Sequence, residues 1–138
     1  MVEVSVAGEF DVPAERLWAL VADFGDVAWI PGMGEVRVEG EGPGMIRFMP
    51  GGEKEIHEQL ESVDGDARRL VYTIPRNVPF AVTGYRATMQ VEDAPSGSRL
   101  VWSCTCEADG ISDAEAEATV KGLYDMMLGW IGDHLKRG

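Results

Sequence analysis

Residues 111–138, ISDAEAEATVKGLYDMMLGWIGDHLKRG, decide how the rest of the chain is read. Ser112 stands three residues before Glu115, the pattern of a reciprocal capping box. Ala116, Val120, Leu123, Tyr124, Met127, Ile131 and Leu135 then recur at helical spacing, and Met126 and Trp130 broaden the stripe. Lys136 and Arg137 suit the negative end of a helix dipole. The spacing predicts one helix over residues 113–136, about 35 Å long at about 1.5 Å per residue. A helix of that length with one apolar face needs a surface to cover it.

That surface lies upstream. Residues 2–11, VEVSVAGEFD, place Val2, Val4 and Val6 on one parity and read as a strand. From residue 34 to 107 the text alternates or carries β-branched and aromatic residues. The segments fall near 34–40, 44–49, 53–63, 68–75, 81–92 and 98–107. GEGPG (40–44), PGG (50–52), DGD (64–66) and APSG (94–97) separate them as turn signals. PRNVP (75–79) is a longer break and reads as a functional rim. Short connections favour antiparallel pairing. Between the first two strands, Pro13 opens a short amphipathic helix through Leu17, Leu20, Val21 and Phe24, with Trp18 widening its stripe and Gly25 ending it. A second, very short helical piece is expected around Asp26–Ala28.

The reading is α+β. A curved, seven-stranded antiparallel sheet wraps around a long C-terminal helix, with short helices between strands 1 and 2, in one domain over residues 1–138. Curvature of such a sheet is expected to leave a ligand-sized space under the helix.

Composition bounds the partners. The 138 residues carry 24 acidic and 12 basic side chains, a net charge of −12. That balance repels phosphate backbones, so no nucleic acid is expected. No apolar run approaches the about 20 residues of a membrane span, so no membrane insertion is expected. The N-terminus lacks the basic and apolar blocks of a secretory signal, which points to the cytoplasm. A homodimer is left open. Cys104 and Cys106 would share one strand face at or beyond disulfide reach, and read as buried, reduced thiols. With only His57 and His134 to add, no metal and no other cofactor is expected.

Glu58 is the sharpest candidate for chemistry. Ile56, Glu58 and Leu60 share a parity opposite to His57, Gln59 and Glu61, so an inward apolar set carries Glu58 inward with it. A buried carboxylate needs a cation. Arg47, between Met45 and Met49 on the preceding strand, supplies one. Arg47, Glu58 and Tyr72 are therefore the candidates for orienting a ligand carbonyl or phenol, or for moving protons. Tyr72 and Tyr85 offer hydroxyls to an apolar interior. Met45, Met49, Met89, Met126 and Met127 suit a cavity accepting several shapes, and Trp102 narrows or fills it. Trp29, a large aromatic in what reads as a loop, either seals the core or lines the cavity. His57 falls on the solvent face and His134 in the last helical turn, so no nucleophile–base triad emerges.

In order, VPAERLWALVADFGDVAWIPG, EGEGPGMIRFM, IHEQLESVDGDARRLVYTI, GYRATMQVEDAPSGSRLVWSCTCEADG and the final helix resemble the START-like, or Bet v 1-like (SRPBCC), superfamily with its helix-grip fold. The nearest resemblance is to its bacterial polyketide cyclase/dehydrase-type members. A more distant one is to the plant abscisic-acid receptors. The resemblance implies a pocket carboxylate at Glu58, aromatic and aliphatic pocket positions at Tyr72 and Ile74, and a pocket tyrosine at Tyr85. The sequence departs from the receptors at Trp102, at Ile30 where they hold a lysine, and in the shorter, acidic hairpin FMPGGEKE. The ligand-binding set implied by parity and resemblance together is Trp29, Met45, Arg47, Met49, Glu58, Tyr72, Ile74, Tyr85, Trp102, Leu123, Met127 and Ile131. The implied function is binding or transport of a small hydrophobic molecule of lipid, polyketide or aromatic type. The alternative is a cyclase/dehydratase using the same cavity.

Overall fold

A computed structural model describes residues 1–137. The elements run β1 (Val2–Phe10), α1 (Ala14–Ala22), β2 (Arg37–Glu39), β3 (Ile46–Gly51), β4 (Lys54–Asp64), β5 (Arg69–Arg76), β6 (Val82–Ala94), β7 (Gly97–Ala108) and α2 (Asp113–Arg137). The strands form one antiparallel sheet in the order β1-β7-β6-β5-β4-β3-β2. Apart from the placement of β1 beside β7, every neighbour in the sheet is also a neighbour in sequence, as the short turn signals require.

Rows of inward residues cross the sheet. Val6, Trp102, Met89 and Leu70 form one row, and Val4, Cys104, Ala87, Tyr72 and Leu60 the next. Against them α2 presents Ala116, Val120, Tyr124, Leu128, Ile131 and Leu135. The capping box forms as the spacing predicts. The Glu115 amide donates to Ser112 Oγ at 3.1 Å, and Ser112 Oγ donates back to Glu115 Oε1 at 3.0 Å.

Four local expectations change. Helix α1 begins at Ala14, with Pro13 just outside it, and the segment around Asp26–Ala28 is not helical. It is a series of tight turns in which Asp26, Ile30 and Met33 donate backbone bonds to Asp23, Val27 and Ile30. Each residue three places on closes one turn, and no helical ladder accumulates. Strand β2 pairs over only three residues, shorter than expected, and all three are exposed at the sheet edge. On α2 the buried stripe passes through Leu128, while Met126 is 48% exposed. The reason lies on β1. Gly8 has no side chain, and a Cβ there would lie 3.4 Å from the Leu128 methyls, so the leucine occupies that space. Among the described residues no helix is long and apolar enough to cross a membrane.

Candidate functional site

Arg47 and Glu58 stand directly opposite each other across the β3–β4 ladder. Arg47 Nε donates to Glu58 Oε1 at 2.7 Å, and Arg47 Nη1 donates to the Phe24 carbonyl at 2.9 Å. The side chains are 8% and 15% exposed, so the parity argument placed the pair correctly. The guanidinium also lies 3.9 Å from the Phe24 ring centroid and 5.7 Å from that of Tyr72. It is held by a carboxylate, a carbonyl and two aromatic faces, the set a desolvated arginine needs. Strand pairing places the ion pair, and the turn ending α1 covers it.

Tyr72 connects this pair to a run of polar atoms under α2. Trp102 Nε1 donates to Tyr72 Oη at 3.2 Å, and Tyr72 Oη meets Tyr85 Oη at 3.4 Å. Tyr85 Oη in turn bonds Tyr124 Oη on the helix. All four residues are buried. Rows built around the small residues Ala87 and Cys104 leave depth for these rings on the sheet's inner face. Burial raises the pKa of Tyr72, with the Glu58 charge adding to it. Burial likewise raises Tyr85, with Tyr72 and Tyr124 adding to it, and raises Tyr124, with Tyr72 and Cys104 adding to it. The three phenols are thus neutral donors and acceptors. Cys104 and Cys106 are free and buried, and burial lifts their thiols, Cys106 to about 11.

Around Trp102 the space expected between sheet and helix is taken up by the protein's own rings, while a groove of about 640 Å³ lies between Phe10 and Val12 at the end of β1 and Leu128, Gly132 and Leu135 of α2. The Trp102 indole stacks on the Tyr124 ring with centroids 4.9 Å apart, and Trp29 meets Trp102 edge-on at 6.3 Å. Phe24 and Phe80 pack against Tyr72 and Tyr85 from either side. Trp29, 4% exposed, is buried against Trp102 at one end of this cluster. Met49, Ile74 and Ile131 are buried in the same core, and Met45 and Met127 are half-buried against it, whereas Leu123 is half-buried without packing on that core. His57 lies on the opposite sheet face, packed edge-on against Phe48.

Three contributors were not among the candidate site residues: Tyr124, Phe24 and Phe80. Tyr124 carried a signal, being the single hydroxyl within an otherwise apolar helical stripe. Phe24 continues the apolar stripe of α1, but its contacts with Arg47 and Tyr72, like that of Phe80 with Tyr85, join distant segments and leave no local mark.

Grooves open onto two ends of this interior. One, of about 520 Å³, runs between the β3–β4 turn and the 77–81 rim over Ile56 and Phe80. Asn77, at φ 60°, ties that rim to β4 by donating from Nδ2 to the Glu55 carbonyl at 2.7 Å. The other, of about 490 Å³, lies between the 28–34 loop and the last turns of α2, with Trp29 in its wall.

A curved antiparallel sheet gripping one long helix, with a polar-tipped aromatic interior, defines a START-like, Bet v 1-like protein. The chain belongs to the family described as "Polyketide cyclase / dehydrase and lipid transport", whose model matches residues 1–135. No curated protein matches the sequence. Among solved structures, the protein XoxI from Bacillus cereus is 28% identical, with 97% of this chain and 95% of that one covered and a TM-score of 0.83. A protein from Thermobifida fusca is 29% identical, with coverage of 99% and 95% and a TM-score of 0.84. Ara h 8.0201 shares the fold at 19% identity and a TM-score of 0.78, with 99% and 98% covered. Family and fold support hydrophobic-ligand binding in general terms and leave the ligand open.

Proposed function

We propose that the protein binds a small hydrophobic molecule with an aromatic or polyketide-like body between the sheet and α2. The observation that supports this reading is the concentration of polar atoms in an interior that packing alone would make apolar. A buried ion pair, an indole N–H and three phenols converge there, and each carries a desolvation cost that leucine or phenylalanine would avoid. A ligand carbonyl or hydroxyl inserted among them would find donors and acceptors already aimed inward. Because rings fill the space, binding requires them to part. Half-buried Met45, Leu123 and Met127 form the adaptable wall, since methionine repacks at low cost. The residues proposed to contact the ligand are those twelve of the sequence reading, joined by Tyr124. The partner is a small molecule, and the site of action is the cytoplasm.

The cyclase/dehydratase alternative rests on Glu58 and Arg47 lying beside Tyr72. The raised phenol values favour orientation over proton transfer, because a catalytic acid works best near the operating pH.

The test is a titration with a neutral naphthol, followed by NMR of the methionine methyls and tyrosine rings. Binding in the interior shifts Met127, Tyr85 and Tyr124 together, and Glu58→Gln weakens it. Shifts confined to surface residues would refute the reading. Native mass spectrometry of protein purified from its own host should show a co-purifying apolar molecule.

A further inference from the structure

The flank of α2 changes character along its length. Leu123, Met127, Trp130, His134 and Arg137 follow one another at four- and three-residue spacing, so they lie on one stripe. The first four are half-buried and Arg137 is exposed. The stripe is apolar for its first three members and basic for its last two. From Met127 to Arg137 it spans about 15 Å along the helix axis.

Its basic end forms one wall of the groove beside Trp29. The facing wall is the loop with Ile30, Pro31, Gly32 and Gly34. Both glycines have positive φ, and a Cβ at either would meet nothing within 4 Å, so this wall is open backbone. Among the described residues no carboxylate side chain lines this groove. That stands out in a chain with 24 acidic and 12 basic residues. The four other grooves described for the surface each include at least one acidic residue, such as Asp133, Glu3, Glu53 or Glu55. The carbonyl end of a helix is itself partly negative and opposes an anion. Here Arg16 Nη2 donates to the Leu135 carbonyl at 2.8 Å, so one of those carbonyls is already engaged by a cation.

We infer that this groove holds the acidic group of an amphiphile, a carboxylate or phosphate monoester, whose apolar body lies along Trp130, Met127 and Leu123 and past Trp29 into the interior. The inference rests on the hydrophobic-ligand reading and narrows it to acidic amphiphiles. Arg137 and His134 recognise the charge by charge-assisted hydrogen bonds, and the loop admits it because its glycines leave room.

The test compares dodecanoate with dodecanol, which share one apolar chain, by calorimetry and tryptophan fluorescence on the whole protein. Wild type should prefer the acid by about tenfold, a difference of about 1.4 kcal/mol. The double variant His134→Gln/Arg137→Gln should bind both probes with the affinity wild type shows for dodecanol. Unchanged dodecanol binding also shows that the variant is folded. The His134 ring resonances should shift with dodecanoate and stay in place with dodecanol. Equal binding of the two probes by wild type, or a preference that survives in the double variant, overturns the inference and leaves the hydrophobic-ligand reading standing. If neither probe binds and the neutral naphthol also fails, both fall together.

Discussion

Replacing Arg47 with methionine removes the cation paired with Glu58 while keeping a side chain of similar length. Four interactions disappear: the 2.7 Å bond to Glu58, the 2.9 Å bond to the Phe24 carbonyl and the contacts with the Phe24 and Tyr72 rings. Stranding one partner of a buried ion pair costs about 3–5 kcal/mol. The Glu58 side chain is 15% exposed, so some water reaches it and the lower end applies. Arg47→Met should therefore lose about 3 kcal/mol. At about 2.1 cal/mol/K per residue, a chain of 138 residues has an unfolding entropy of about 0.29 kcal/mol/K, so Tm should drop by about 10 °C. The double variant Arg47→Met/Glu58→Leu removes the stranded charge as well and should recover more than half of the loss. Urea unfolding followed by tryptophan fluorescence measures all three chains. An Arg47→Met protein within about 1 kcal/mol of wild type, or a double variant no more stable than the single, would refute the account of this pair.

Two further predictions concern the helix and the phenols. Leu128→Ala should cost about 2–5 kcal/mol by opening a cavity against Gly8, whereas Met126→Ala should stay within about 0.5 kcal/mol. The reverse order in thermal melts would reassign the buried face of α2. Alkaline pH should destabilise the fold. Tyr72, Tyr85, Tyr124, Cys104 and Cys106 all have raised pKa values, so between their unfolded and folded values the native state holds protons that the unfolded state has lost. Stability then falls as pH rises, from about pH 8.5 for the thiols and more steeply above about pH 10, by up to about 1.4 kcal/mol per pH unit for each group. The protein's 3 tyrosines are all in this cluster, so tyrosinate absorbance should appear only with unfolding. A normal phenol titration in the folded protein would contradict their burial.

What the sequence disclosed and what it withheld divide along physical lines. The Ser112 cap, the start of α2 and the opposition of Arg47 to Glu58 follow from local spacing and strand parity, which operate within a few residues of chain. Met127 and Leu128 are adjacent on the helix, about 100° apart. Both are apolar, and the pattern alone does not choose between them. The choice is made by Gly8, more than a hundred residues away, where the absent side chain receives Leu128. The expected cavity is narrowed for a similar reason. Whether a curved sheet leaves a void depends on whether Trp102, Tyr124 and Trp29 meet ring to ring, and that is settled by three separate segments arriving at one place.

The filled interior and the hydrophobic-ligand reading are compatible if the rings serve as both packing and recognition. A core of aliphatic side chains gains nothing from exchanging one apolar neighbour for another of the same size. The phenols here are different, because each loses a hydrogen-bond partner when the rings part, and a ligand restores stability only by replacing it. An apolar molecule without an acceptor or donor at the right place would leave Tyr72, Tyr85 or Tyr124 buried and unpaired, at about 1–3 kcal/mol for each group. One with a carbonyl or hydroxyl there would not. Specificity would then come from the cost of the wrong occupant, in the same way that a site built to hydrogen-bond a hydroxyl rejects the analogue lacking it. Tyr124→Phe makes the argument testable. It removes one hydroxyl of the run, and it should narrow the difference in affinity between naphthol and naphthalene while leaving naphthalene's own affinity unchanged or improved.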